Sequence, residues 1–337
     1  MMNKSTNMLM MIMLILSVTI SISSNSWFIV WMGMEINMMA FMPMIIKQKN
    51  MMSKESALTY FLIQTIASMI FMMSFIMMML KENNISNNQT MEFMLMSALM
   101  MKSGISPFHF WMPKMMEGLN WNKCMILMTW QKIIPMMMMS NIIKMNYLTM
   151  SAMILSIIIG AIGGLNQTSL RKMMAYSSIS NNGWMMAAMM MSETTWMMYF
   201  MLYTLMTIVM TKSMNIYKIH HMNQILTMNE SNKMKMFLLI NMMSISGLPP
   251  MMGFMPKWLV IQSTMTMNEF MLLGTMVMMT LITVYYYLRI MFSVLMLMNY
   301  QLKWNYKKMN INNNNLMLMN TFSIMGMTTI TMTMSLY

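Results

Sequence analysis

Runs of about 20 apolar residues recur along the whole of this 337-residue chain, separated by short polar connectors. None alternates apolar and polar positions at period two, the mark of a half-buried strand, so the pattern predicts helices. Eleven spans are expected, near 8–24, 26–46, 57–80, 92–112, 123–143, 147–165, 173–191, 194–213, 236–261, 269–298 and 316–336. A bilayer core offers no water to backbone groups, so a spanning segment must be a helix or part of a closed barrel. The expected fold class is therefore all-α, a polytopic membrane protein in which residues 1–337 form a single transmembrane domain. Its connectors are polar and rich in Asn, as in "KENNISNNQT" (81–90) and "MNINNNNL" (309–316), and none is long enough to be a soluble domain.

One motif occurs twice. "SGISPFHFWMPK" (103–114) and "SGLPPMMGFMPK" (246–257) align at a constant shift of 143, with six of twelve positions identical. The copies fall in spans four and nine. Five spans apart is an odd number, so the two copies run through the membrane in opposite directions. That is the pattern of an inverted-topology repeat, whose Gly- and Pro-interrupted helices meet near the midplane. Residues 8–143 are read as the first repeat, 147–298 as the second, and 316–336 as an additional helix. Breaks are expected at Gly104, Pro107, Gly247, Pro249, Pro250 and Pro256.

Composition sharpens this picture. Hydrophobic residues make up 58% of the chain and charged ones 9%, where a soluble domain carries about 25% charged residues. Methionine is extreme, at 75 residues, but it is spread over every span rather than clustered as a soft-metal site. A single cysteine, Cys124, excludes an internal disulfide framework or a cysteine zinc site. The net charge is +13, and it is placed asymmetrically: 15 basic residues fall on the side of the N-terminus, 2 on the other side, and 4 within spans. This fits the positive-inside rule and not a nucleic-acid partner. The N-terminus is expected on the basic side and the C-terminus opposite.

Ionisable groups inside a bilayer cost about 3 kcal/mol each by insertion scales, which makes them functional candidates. Glu35 lies near the centre of span two, Lys102 midway along span four, Lys132 centrally in span five, and Lys257 toward one end of span nine. All seven prolines fall in or at the edges of those four spans. Helix breaks free carbonyls and admit water, which can solvate a buried charge. A buried lysine whose partner moves is a proton-loading switch, so the four residues are read as a proton relay. The opposing reading is snorkelling to the interface, which is weakest for the short Glu35. His109 is a further relay candidate. His220 and His221 are adjacent in a connector and are expected to hold no metal. Gly160 and Gly164 read as a close helix contact. No phosphate loop, dinucleotide fingerprint, haem site or iron–sulfur ligand set is present in the sequence.

The stretches "SNSWFIVWMGMEINMMAFMP" (24–43), "KSGISPFHFWMPKMMEGLNW" (102–121), "MTWQKIIP" (128–135), "IGAIGGLNQTSLRKMMAYSSIS" (159–180) and "SGLPPMMGFMPKWLV" (246–260) together resemble subunit 2 of NADH dehydrogenase, an antiporter-like membrane subunit of mitochondrial respiratory complex I. The resemblance covers almost the whole chain and is insect-like in style. It implies that Glu35, Lys102, Lys132 and Lys257 carry proton transfer. It also implies that flavin, iron–sulfur clusters and quinone belong to other subunits, and that this chain holds no cofactor or metal. Implied partners are other membrane-arm and accessory subunits and lipids such as cardiolipin. The implied location is the mitochondrial inner membrane, with the N-terminus in the matrix and the C-terminus in the intermembrane space. The methionine excess fits translation inside the organelle. One departure is Asn181 in "SSISNNGW", where the family usually places a histidine. Two other readings stay open: a stand-alone cation/proton antiporter and a purely structural membrane subunit.

Overall fold

A computed structural model of the chain describes residues 4–46, 50–80, 85–226 and 232–296. Span eleven, expected at 316–336, lies outside the described residues. The described chain is all-helical: α1 (Lys4–Ser23), α2 (Trp27–Ile45), α3 (Met51–Leu80), α4 (Ile85–Ser103), α5 (Trp111–Gly118), α6 (Trp121–Met128), α7 (Trp130–Ile142), α8 (Tyr147–Leu165), α9 (Leu170–Met191), α10 (Glu193–Tyr217), α11 (Met222–Leu226), α12 (Asn232–Ser246), α13 (Phe254–Thr266) and α14 (Phe270–Met296). These divide into two compact units, Met1–Ala152 and Met153–Tyr337, with the boundary inside α8.

The helices turn large apolar side chains outward and keep their polar groups inside, among a mainly apolar core. On α3, Leu58, Leu62, Ile66, Met69, Met73, Ile76 and Leu80 form an exposed stripe at three- and four-residue spacing, while Ser53, Tyr60, Gln64, Ser68 and Ser74 are buried. Buried serines satisfy themselves within their own helices: Ser17, Ser21, Ser56 and Ser74 each donate to the carbonyl three residues back, at 2.7–2.9 Å. Such a surface is stable against lipid and not against water.

Among the described residues six helices are long and apolar enough to cross a membrane: α1, α2, α3, α8, α10 and α14. The other expected spans take different forms. Span seven corresponds to α9, which is nearly all buried and carries the polar run Ser177–Asn182. Spans four, five and nine each appear as a pair of helices, α4/α5, α6/α7 and α12/α13. The division of span five was not expected. Thr129 sits between its halves, and the Met125 carbonyl accepts both the Thr129 backbone N–H at 3.0 Å and its Oγ1 at 2.7 Å. A hydroxyl that adds a second hydrogen bond to the carbonyl four residues back often bends a helix.

Helix α10 shows how local sequence fixes a boundary. Ser192 accepts the Thr195 N–H at 3.2 Å as N-cap, Glu193 stands in the first turn, and Lys218 closes the helix in the left-handed region at φ 53°. The connector beyond it pairs with the start of α9, since the Leu170 N–H donates to the His220 carbonyl and the Met222 N–H to the Thr168 carbonyl. Burial, then the charges of Arg171 and His221, lower the His220 pKa below its ordinary 6.5. A base with a depressed folded-state pKa contributes stability above the unfolded value and loses it as pH falls through the folded one. Hydrogen-exchange protection of the Leu170 and Met222 amides is therefore expected to fall as pH drops below about 6.5, and His220→Gln to remove most of that dependence.

Candidate functional site

The two motif copies fold alike. Helix α4 ends at Ser103 and α12 at Ser246; α5 opens at Trp111 and α13 at Phe254. Both differences are 143 residues, the shift of the sequence repeat. Gly104 and Gly247 follow the first helices at φ 73° and 81°, a conformation that costs a side-chain-bearing residue about 1–2 kcal/mol. Inside each loop one turn repeats: Phe108 N–H donates to the Ile105 carbonyl, and Met251 N–H to the Leu248 carbonyl, both at 2.9 Å. Pro107, Pro249 and Pro250 lie in the loops. Pro113 and Pro256 occupy the third position of the restarting helices, where the missing N–H has no intrahelical partner to lose.

In the first unit, Lys102 stands in the last turn of α4 and is buried. Its Nζ contacts Met34 Sδ at 3.5 Å, a weak acceptor, and its backbone carbonyl accepts Gln64 Nε2 at 3.3 Å. Lys132, 2% exposed, stands one turn before Pro135 on α7. Both lysines line one cavity with Asn37, Tyr60, Gln64 and Gln131. About 20 Å³ of it is open to the centre of a water molecule, which is room for about one water. A row of neutral groups borders it: Tyr60 Oη donates to Gln131 Oε1 at 3.2 Å, and Gln131 Nε2 to Asn37 Oδ1 at 2.8 Å.

Glu35 lies half-buried on α2 within electrostatic reach of both Lys102 and Tyr60. Its Oε1 is buried without a hydrogen-bond partner, and among the described residues it forms no ion pair with a lysine. Direct contact is thus not made, and the coupling acts through space. His109 is buried in the α4–α5 loop, stacked on Phe110 with ring centroids 4.2 Å apart, and does not line the cavity.

In the second unit, Lys257 reaches back over the α12–α13 loop and donates to the Ser246 carbonyl at 2.7 Å. Ser246 is the last residue of α12, so the ammonium caps an otherwise orphaned carbonyl at the negative end of a helix dipole. The Trp184 ring lies under it, 6.0 Å from Nζ to centroid. Lys114, the same slot in the first copy, is exposed. The two units therefore place a lysine at the C-terminal end of the first half-helix from different sequence positions, one before the glycine and one ten residues after it. A Cβ at Gly247 would fall 2.9 Å from Lys257 Nζ, in addition to the strain of positive φ. Gly247→Ala is expected to displace Lys257 from the Ser246 carbonyl and to lower stability by about 1–2 kcal/mol or more, measured by thermal denaturation of the assembled protein.

Reasoning from charge alone missed Asn37, Tyr60, Gln64, Gln131, Trp184 and Tyr199. Their signal was uncharged hydrogen-bonding groups inside apolar runs, such as the Gln in "YFLIQTIASM".

These features define a multi-pass membrane protein with ionisable side chains gathered at interrupted helices. Residues 24–283 match the family described as NADH:quinone oxidoreductase/Mrp antiporter, TM. NADH-ubiquinone oxidoreductase chain 2 of Aedes aegypti is 48% identical over 339 residues, covering 98% of each chain. That of Anopheles gambiae is 45% identical over 316 residues, covering 93% of this chain and 92% of the relative. A chain of respiratory complex I from Thermus thermophilus superposes with a TM-score of 0.82 at 17% identity, covering 95% of this chain and 78% of that one. A chain of the archaeal membrane-bound sulfane sulfur reductase gives 0.84 at 14%, covering 96% and 73%. The chain belongs to the NADH:quinone oxidoreductase/Mrp antiporter membrane family, among the NADH-ubiquinone oxidoreductase chain 2 proteins.

Proposed function

We propose that this chain is a proton-translocating membrane subunit of NADH:ubiquinone oxidoreductase. The observation that carries the reading is the placement of Lys102 and Lys132 on one water-sized polar cavity beside an interrupted helix, with Glu35 in electrostatic reach. Lysine is a point charge that gains and loses a proton according to its surroundings. A charge change at Glu35 alters the field at Lys102. Lys102 then exchanges a proton with the cavity water, and Lys132 takes or gives the next one. Lys257 performs the equivalent exchange in the second unit, where its charge state is tied to the cap on Ser246. NADH oxidation and quinone reduction, with their flavin and iron–sulfur clusters, belong to other subunits. This chain contributes proton transfer and no electron transfer.

The arrangement in the membrane completes the proposal. Eleven helices form two inverted repeats and one additional helix, with broken transmembrane helices at α4/α5 and α12/α13. The chain sits in the mitochondrial inner membrane with its N-terminus in the matrix and its C-terminus in the intermembrane space, as the basic-residue asymmetry supports. Its partners are the other membrane-arm and accessory subunits, and anionic lipids such as cardiolipin lie against its basic side. The names carried by the mosquito relatives favour this reading over a stand-alone antiporter.

Native gel separation of mildly solubilised mitochondria tests it. Peptides of this chain are expected in a very large species that oxidises NADH in the gel. Recovery solely as a small species without that activity would overturn the reading.

A further inference from the structure

The two units hold their buried lysines by different means. In the first, Glu35 acts through space on Lys102. In the second, Lys257 forms no ion pair among the described residues, and burial rather than a carboxylate dominates its surroundings. A second polar cavity, lined by Asn181, Tyr199, Tyr203, Thr207 and Ser244, opens in this unit, but neither Lys257 nor Ser246 lines it. Among the described residues the Lys257 ammonium makes one hydrogen bond, to the Ser246 carbonyl at 2.7 Å, and one ring contact, to Trp184 with 6.0 Å from Nζ to centroid.

Trp184 is buried on α9, which packs against both α10 and α13. Its Nε1–H is buried too and has no hydrogen-bond partner among the described residues. A buried indole ordinarily finds a partner for that N–H, and one left unmade lowers stability. The position of this ring is therefore not set by its N–H. What the ring does meet is a cation over its face. Indole is the aromatic group that attracts cations best, the attraction acts out to about 6 Å, and it strengthens where both partners are desolvated. Trp184 and Lys257 are 2% and 7% exposed.

We infer that Trp184 is the positioning residue of Lys257: its ring face holds the ammonium at the end of α12, the part that the Glu35 carboxylate plays for Lys102 in the first unit. The inference rests on the proton-transfer reading given above. The attraction is present while the lysine is charged and vanishes when it is neutral. The indole itself exchanges no proton and no electron, so the second lysine is held without a second titrating group beside it. A leucine or methionine at this position fills space without a π face, and a phenylalanine keeps a weaker one.

The test is NADH-driven proton flux into sealed vesicles carrying the assembled complex. Trp184→Leu is expected to lower the flux several-fold, and Trp184→Phe to keep most of it. A double-mutant cycle separates action through the lysine from a general packing defect, because coupled residues give non-additive effects. Lys257→Met is expected to be slow, and adding Trp184→Leu to it to slow it no further. If Lys257→Met is slow while assembled Trp184→Leu keeps the normal flux, the role of Trp184 is refuted and that of the lysine stands. If Trp184→Leu slows the Lys257→Met complex by the same factor as the unsubstituted one, Trp184 does not act through the lysine and the inference is likewise overturned. If Lys257→Met has normal flux, proton transfer by this unit is refuted as well. Should Trp184→Leu fail to assemble, Trp184→Met takes its place, and equal flux from Trp184→Met and Trp184→Phe refutes the role of the ring face.

Discussion

Lys102→Met in the assembled complex is expected to lower coupled NADH:ubiquinone turnover about tenfold or more, without lowering the stability of the assembly. Loss of a positioned proton-transfer group costs about 10²–10⁴ in rate where that step is limiting, so tenfold is a floor. The stability half of the expectation comes from the surroundings of the ammonium. Its hydrogen-bond partner among the described residues is a thioether, and Glu35 acts on it without touching it. A buried charge with so little compensation costs folding free energy, and an apolar side chain of similar volume is often neutral or stabilising in its place. A purely structural subunit would show the reverse, with activity kept. Turnover with and without an uncoupler, beside thermal inactivation of NADH oxidation, separates the two outcomes.

Lys257→Arg is expected to stop proton transfer as fully as Lys257→Met, again about tenfold or more, yet to assemble better than Met. Arginine keeps the positive charge and can still donate to the Ser246 carbonyl, but it does not deprotonate in proteins. Methionine loses both functions and leaves a buried carbonyl unsatisfied, at a cost of about 1–3 kcal/mol. If charge at the end of α12 were all that mattered, Arg would support normal turnover. Comparing the amount of assembled complex with its turnover for the two variants distinguishes a proton carrier from a fixed structural cap.

Much of the fold was legible because a bilayer imposes a simple rule: apolar runs of a set length, and helices throughout. Gly104 and Gly247 were legible for the same kind of reason, since few residue types tolerate their backbone conformation. The division at Thr129 was not legible. A threonine in a helix bends it or leaves it straight according to which carbonyl it bonds, and only the folded geometry decides that. The charged candidates announced themselves by the cost of placing them in lipid. Asn37, Gln64, Gln131 and Tyr199 are cheaper to bury and so left a fainter trace, although they build the walls of both cavities. The absence of a direct Glu35–Lys102 contact also had no sequence signal, because two residues 67 positions apart do not reveal whether their charges touch or act at a distance.

The central claim is that the buried lysines exchange protons rather than merely carry charge. NADH-driven proton flux into sealed vesicles, measured for the assembled complex carrying Lys102→Met together with Lys257→Arg, tests it most directly. The account predicts a flux at least about tenfold below that of the unsubstituted complex, with the complex still assembled and still oxidising NADH with an artificial electron acceptor. An unchanged flux from the assembled double variant would contradict it.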